Sequence, residues 1–206
     1  SRDLKPDVIC FSNALLTGVL LRLRRAFSGP IFCTLQGDDI FLKDLPERYQ
    51  QQALAKIHDR AQEFNGFLVH SHYYRDFRAD YLHLPRERFH RIPLGIDLSG
   101  HDGQVKQETQ TPFTVGYFAR ICPEKGLHRL VEAFRLFHKR QPATQLLAGG
   151  YLGTRDQGWF KKLVRSANDL GGAFRYAGSP KSHAEKVQLI QSFDVMSVPT
   201  EYHEPK

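Results

Sequence analysis

Residues 113–137 read FTVGYFARICPEKGLHRLVEAFRLF, and the order of residue types in this stretch decides the fold. Phe113–Phe118 is an apolar run rich in aromatic and β-branched residues, which predicts a buried strand. From Leu127 onward, Leu127, Leu130, Val131, Phe134 and Phe137 recur at the spacing of a helix with one face on a core. Between them lies the loop Ala119–Gly126. In an open α/β sheet the ligand crevice lies beyond the carboxyl ends of the strands, where such a loop sits. Arg120 offers a planar fork of donors suited to phosphate oxygens, and Lys125 a compact point charge. The helix start near Gly126 adds oriented N–H groups and a partial positive charge. Three sources of positive potential in one strand–loop–helix junction predict an anion site, most naturally for a diphosphate. The competing view is that Arg120 and Lys125 are merely solvated.

The same alternation extends in both directions. Strands are predicted at Val8–Phe11, Ile31–Leu35, Phe67–His70, Phe89–Ile92, Phe113–Phe118, Gln145–Ala148, Phe174–Tyr176 and Val195–Val198. Helical patterns separate most of them: 45–64 with Pro46 near its start, 71–82 capped by Ser71, 127–138, 162–170 and 183–193. Strands alternating with helices imply a mostly parallel sheet, and the fold class is α/β. Residues 99–112 are polar and almost free of apolar side chains, the composition of an exposed linker. The expected organisation is therefore a domain over 1–98, a linker over 99–112 and a second domain over 113–206. About four strands fall on each side, fewer than an average sheet of roughly five or six, so both domains are expected to be incomplete.

Composition narrows the function classes. The chain has 206 residues, 41% hydrophobic and 25% charged, which is the range of a globular protein able to bury a core. Its formal charge of +7 favours anionic partners without choosing among nucleotides, nucleic acid and acidic lipid. Cys10, Cys33 and Cys122 are odd in number and widely spaced, with no C-x-x-C, and two of them fall in apolar runs read as buried strands. Neither a zinc knuckle nor a disulfide framework is indicated, and a reducing, cytoplasmic setting is the simplest account. No stretch approaches the roughly 18 apolar residues of a spanning helix. The basic run Arg22–Arg25 ends a pattern carrying Leu15, Leu16, Val19, Leu20 and Leu23, read as a core helix with cations at its C-terminus. A peripheral membrane contact is the less favoured alternative.

Several motifs, taken in order, carry a resemblance. The pattern R-x-x-x-x-K-G from Arg120 to Gly126, followed by L-H-R-L-V-E-A-F, resembles the donor-binding domain of glycosyltransferase family 4, which has the GT-B fold. Residues 145–150 (QLLAGG) resemble its second strand and glycine turn, 174–178 (FRYAG) the strand before the base pocket, and 193–206 (FDVMSVPTEYHEPK) the strand leading into its E-x7-E signature. Upstream, 93–97 (PLGID) resemble the interdomain N-G-[VI]-D segment, with Leu94 in place of asparagine. The resemblance implies two Rossmann-like domains and a glycosyltransferase that moves a sugar from a nucleotide-diphosphate donor to a glycan, lipid or small-molecule acceptor. It implies retention of anomeric configuration, no cofactor and no bound metal. Arg120 and Lys125 would hold the donor diphosphate, with Gly149 and Gly150 beside it, and Glu204, as the first glutamate of the signature, would act at the transferred sugar. The second glutamate is expected eight residues later, beyond Lys206. An isolated piece of this kind, an internal fragment spanning the end of the acceptor-side domain and the start of the donor-side domain, is expected to have little or no activity alone.

Two departures from the family pattern stand out. Ala119 replaces the usual glycine before the arginine. Where members often carry a histidine after the first two strands, this chain has Ser12-Asn13 and Gln36-Gly37-Asp38-Asp39. Gln36 can hydrogen-bond a sugar but cannot take up a proton near neutral pH. Asp38 and Asp39 are read either as contacts to sugar hydroxyls or, preferentially, as turn residues after a strand. His70 with His72, and Glu201 with His203 and Glu204, lack a third ligand at a recognisable metal spacing. The alternative function, a basic module binding nucleic acid or other polyanions, is disfavoured by the lack of any nucleic-acid motif.

Overall fold

The computed structural model describes residues 5–101, 103 and 112–202. Glu204 and most of the expected 99–112 linker lie outside the described residues. Within them the chain divides into two compact units, residues 5–96 and 97–202, each built on its own four-stranded sheet.

The first unit runs β1 (Ile9–Phe11), α1 (Leu20–Ala26), β2 (Ile31–Thr34), α2 (Asp38–Lys43), α3 (Glu47–Ala61), β3 (Gly66–Val69), α4 (His72–Leu82) and β4 (Phe89–Arg91). The strands lie in the order β1-β2-β3-β4, every neighbouring pair parallel. Parallel neighbours need crossover connections, which the helices supply, and the central strands β2 and β3 are covered on both faces. Ile31, Cys33, Phe67, Val69 and Phe89 from the sheet, with Leu35 just after β2, meet Leu20, Ile57, Ala61, Tyr74 and Leu82 from the helices.

The second unit runs β5 (Phe113–Phe118), α5 (Leu127–Arg140), β6 (Thr144–Gly149), α6 (Gln157–Ser166), β7 (Phe174–Gly178), α7 (His183–Gln191) and β8 (Val195–Met196). Its order is β7-β6-β5-β8, again all parallel. The chain therefore moves outward from β5 to β6 and β7, then returns to the other side of β5 as β8. This reversal is a topological switch point, and the crevice it opens is flanked by the loops that follow β5 and β8.

All eight strands occur where the residue pattern predicts them, and the class is α/β with two parallel sheets. The helix expected at 162–170 starts earlier, at Gln157, because Phe160 and Leu163 supply its buried face. Strand β8 is shorter than expected, since only Val195 and Met196 pair with β5.

Three expectations are corrected. Ala14–Val19 forms a 3-10 helix before α1, so burial follows a period of three: Ala14, Thr17 and Leu20 are inside. That period rotates Leu15, Leu16 and Val19 onto the surface rather than into the core. Arg24 and Arg25 do stand in the last turn of α1, as expected of cations at a helix end, and Arg24 also donates to the carbonyls of Gly29 and Glu63 and to Asn65 Oδ1. Cys10 is exposed, because β1 is an edge strand, whereas Cys33 is buried.

The third correction concerns Asp38 and Asp39, which are neither turn residues nor available to sugar hydroxyls. They open α2 and are fully buried against an equally buried Arg78 of α4. Arg78 Nη2 lies 2.7 Å from Asp38 Oδ2 and Nη1 lies 3.0 Å from Asp39 Oδ1. Tyr74 donates to the same Asp39 oxygen at 2.6 Å and accepts from the Gly37 N–H at 2.8 Å. The two carboxylates hold the Arg78 guanidinium even more firmly protonated than usual, despite its burial. Burial pushes the Tyr74 hydroxyl far above its ordinary range, so it remains a donor. The network ties the Gln36–Gly37 turn to α4.

Helix α4 ends on His83, the one non-glycine residue with positive φ (51°) among the described residues. Its N–H caps the carbonyls of Ala79 and Asp80. That left-handed position favours glycine, and a β-carbon there costs roughly 1 kcal/mol. His83→Gly should stabilise the first unit by about 0.5–1 kcal/mol in urea unfolding. A loss of stability would show that the imidazole contributes more than the strain removes.

Candidate functional site

The loop leaving β5 is shaped by its own sequence. Tyr117, fully buried beneath it, places its hydroxyl 3.0 Å from the Arg120 carbonyl and 3.4 Å from that of Lys125, donating to either. Burial pushes this hydroxyl well above its ordinary range, so it stays protonated. Pro123–Lys125 forms a single 3-10 turn, and Gly126 then adopts φ 71° before α5 begins. A β-carbon on Gly126 would lie 1.8 Å from the Pro199 carbonyl oxygen, so only glycine allows the loop to meet the segment after β8. The Glu201 N–H donates to the Glu124 carbonyl at 2.9 Å, which closes that contact. On the opposite side, the Ala119 and Ile121 N–H groups donate to Gly149 and Tyr151. Cys122 is buried, and burial raises its thiol, which leaves it unsuited to act as a nucleophile.

Arg120 stands on the wall of two clefts at the carboxyl ends of β5, β6 and β7. The larger, ≈ 520 Å³, also takes in Ala119, Gly150, Tyr151, Lys181 and Lys186. The smaller, ≈ 260 Å³, takes in Ile121, Tyr151, Thr154 and Arg155. Lys125 turns toward β8, with Nζ 5.0 Å from the centroid of the Tyr202 ring, a cation–π contact. The two basic residues of the loop thus lie toward opposite sides of it. The start of α5 is also less bare than its sequence suggests. Glu201 Oε1 lies 2.7 Å from Arg129 Nε and 3.3 Å from His128 Nε2, on the first turn of that helix. The Arg129 guanidinium holds the Glu201 carboxyl below its usual range.

Gly149 and Gly150 make close approaches to the protein itself. A β-carbon on Gly149 would meet the Leu189 side chain of α7 at 2.4 Å, and one on Gly150 (φ 132°) would meet the Ala119 carbonyl at 1.8 Å. Gly150 lines the larger cleft. Across that cleft α7 begins with a reciprocal cap: the Glu185 N–H donates to Ser182 Oγ, and the Lys181 N–H donates to the Glu185 carboxylate. Lys181, Lys186 and Tyr151 belong to no motif that the sequence displays. The S-x-x-E spacing of Ser182 and Glu185 marked where α7 starts, and Tyr151 was visible as an aromatic directly after a Gly-Gly turn.

In the first unit, Gln36 Nε2 donates to the Ser12 carbonyl at 3.4 Å. His70 Nδ1 lies 3.0 Å from the Ile92 carbonyl, which can only accept, so that nitrogen carries the proton. Among the described residues no helix is long and apolar enough to cross a membrane.

Two parallel four-stranded sheets, with an arginine-bearing loop at a switch point, define a Rossmann-like α/β protein of the GT-B type. Residues 102–205 match the family described as Glycosyl transferases group 1, and the chain belongs to that family. Among solved structures it is similar to HepE of Anabaena in complex with UDP, with a TM-score of 0.75 at 20% identity over 97% of this chain and 54% of that one. It is similar to the E. coli trehalose-6-phosphate structure bound with UDP-2-fluoro glucose (TM-score 0.71, 12% identity, 99% of this chain and 54% of that one). The catalytic domain of starch synthase IV from Arabidopsis thaliana, bound to ADP and acarbose, gives 0.62 at 14% identity over 99% of this chain and 54% of that one. At these identities the likeness is one of fold. The chain spans about half the length of these structures. No curated protein matches it significantly.

Proposed function

We propose that this chain belongs to a nucleotide-sugar-dependent glycosyltransferase, and that residues 97–202 bind the nucleoside diphosphate of the sugar donor. The observation that carries this is Arg120, standing at the wall of both clefts on a loop pinned by Tyr117, Gly126 and the β6 turn. When the bond between the anomeric carbon and the diphosphate oxygen breaks, negative charge grows on the leaving diphosphate. A guanidinium already fixed at that place stabilises it without reorganisation, an effect worth roughly 3 kcal/mol for one donor. Lys125 offers a second cation on the β8 side of the same loop, and the reading invokes no cofactor or metal. Transfer of a hexosyl group with retention to a glycan, lipid or small-molecule acceptor is the reaction class we infer, with Glu204 at the transferred sugar. HepE in complex with UDP and glucose supports the donor class by family and fold.

Calorimetric titration of the chain with UDP, GDP and ADP tests this. One nucleotide should bind preferentially, and Arg120→Ala should weaken it roughly 10- to 100-fold, the loss of hydrogen bonds to a charged group. Lys125→Ala should have a smaller effect, since its ammonium already rests on Tyr202. If no nucleotide binds, or neither substitution matters, the donor assignment fails. Indiscriminate binding of polyanions that collapses with salt would instead favour the basic-module alternative suggested by the +7 charge.

A further inference from the structure

Tyr151 is placed unlike any other aromatic residue of the second unit. Its backbone is fixed from several directions. The Ile121 N–H donates to its carbonyl at 2.8 Å, the Tyr176 hydroxyl donates to the preceding Gly150 carbonyl at 2.7 Å, and the Gly150 N–H donates to the Gly178 carbonyl at 2.9 Å. Those bonds tie the residue to the β5 loop on one side and to β7 on the other. The side chain is nevertheless 63% exposed, and among the described residues its ring stacks on no other aromatic. Besides Arg120, it is the one residue among those described that lines both clefts. A rigid backbone thus presents an open aromatic face beside the cation proposed to hold the diphosphate.

We infer that Tyr151 is a stacking platform for the nucleobase of the donor, lying against the base in the larger cleft; this rests on the donor-site proposal. The chemistry follows from the parts present. A phosphate held at Arg120 leaves the nucleoside within reach of the neighbouring ring. An aromatic face accepts any base, because every base has a π-face of its own. Tyr151 therefore contributes affinity for nucleosides as a class, while the choice among bases falls to the polar groups around it. The hydroxyl has no part in stacking, so phenylalanine should serve as well. Pre-fixing the backbone means that little conformational freedom is lost when the base arrives.

The test is calorimetric titration of the wild-type chain, Tyr151→Phe, Tyr151→Ala and Arg120→Ala with UDP, GDP, ADP and inorganic pyrophosphate. Stacking predicts that Tyr151→Ala weakens every nucleotide that binds about 5- to 100-fold, leaves pyrophosphate unchanged, and that Tyr151→Phe retains wild-type affinity. Arg120→Ala should weaken pyrophosphate and nucleotides together. Equal losses of pyrophosphate and nucleotide in Tyr151→Ala would mean the substitution disturbs the loop, and would overturn the inference. So would unchanged nucleotide affinity in Tyr151→Ala. If Arg120→Ala weakens binding and Tyr151→Ala does not, the donor site stands and the stacking role falls. If the wild-type chain binds no nucleotide, both fall.

Discussion

Arg78→Ala should destabilise the first unit by about 3–5 kcal/mol, the largest effect expected of any substitution away from the clefts. Removing the guanidinium leaves Asp38 and Asp39 buried with no counter-charge, and breaking a buried pair costs far more than the pair itself contributes. The whole network is inaccessible to water, so solvent cannot take the place of the missing cation. Arg78→Lys keeps the charge but cannot reach both carboxylates with a planar fork, and should fall between wild type and alanine. Removing the charges together, as Asp38→Asn and Asp39→Asn in an Arg78→Met background, should recover much of the loss. Urea unfolding followed by far-ultraviolet circular dichroism measures each. A cost below about 1 kcal/mol for Arg78→Ala would mean the carboxylates are not charged and paired as described.

Gly126→Ala should give the second large effect, and it should strike binding as well as stability. The residue sits at φ 71°, where a β-carbon costs about 1–2 kcal/mol in backbone strain. It would also overlap the Pro199 carbonyl oxygen at 1.8 Å, which is backbone and cannot turn aside. The loop carrying Arg120 and Lys125 must then part from the segment after β8. That movement breaks the bond from the Glu201 N–H to the Glu124 carbonyl and draws Tyr202 away from Lys125. We expect a combined loss of about 2–4 kcal/mol, near 10 °C or more in the melting of a unit of this size. Nucleoside-diphosphate affinity should fall with it. A variant that melts normally would contradict the packing at Pro199, whatever its binding.

These effects separate what residue patterns reveal from what they hide. Helix α5 was legible because Leu127, Leu130, Val131 and Phe134 repeat at helical spacing and are all buried. The central strands β2, β3, β5 and β6 were legible because buried parallel strands are continuous apolar runs. Helix α2 was not. It has six residues, opens with two aspartates after a left-handed glycine, and its reason for existing lies in Arg78, about forty residues away. A hint was present: Tyr74, Arg78 and Leu82 recur at every fourth position of α4, and a charge between two core residues demands a buried partner. Leu15, Leu16 and Val19 suggest a core face only at a helical period of 3.6, whereas the chain winds at three over Ala14–Val19. At the candidate site, Arg120 and the glycine turn could be read as a local motif. The direction taken by Lys125 could not, because it depends on Tyr202, brought close only when β8 pairs with β5.

That pairing also sets the order in which the second sheet can assemble. Strands β5, β6 and β7 join neighbours in sequence, with short segments of chain to close between them. Strand β8 must come back past all of them: Asp194 accepts from Thr114, a partner 80 residues earlier. Closing a longer loop carries a greater entropic cost, and only two residue pairs of the ladder then repay it. The β7-β6-β5 portion should therefore form first and β8 dock late. Until it does, the carbonyl of Pro199 is not yet seated against Gly126 and the carbonyl of Glu124 has no Glu201 N–H to receive. Hydrogen-exchange labelling during refolding should accordingly find the Glu201 amide among the last to gain protection in its unit.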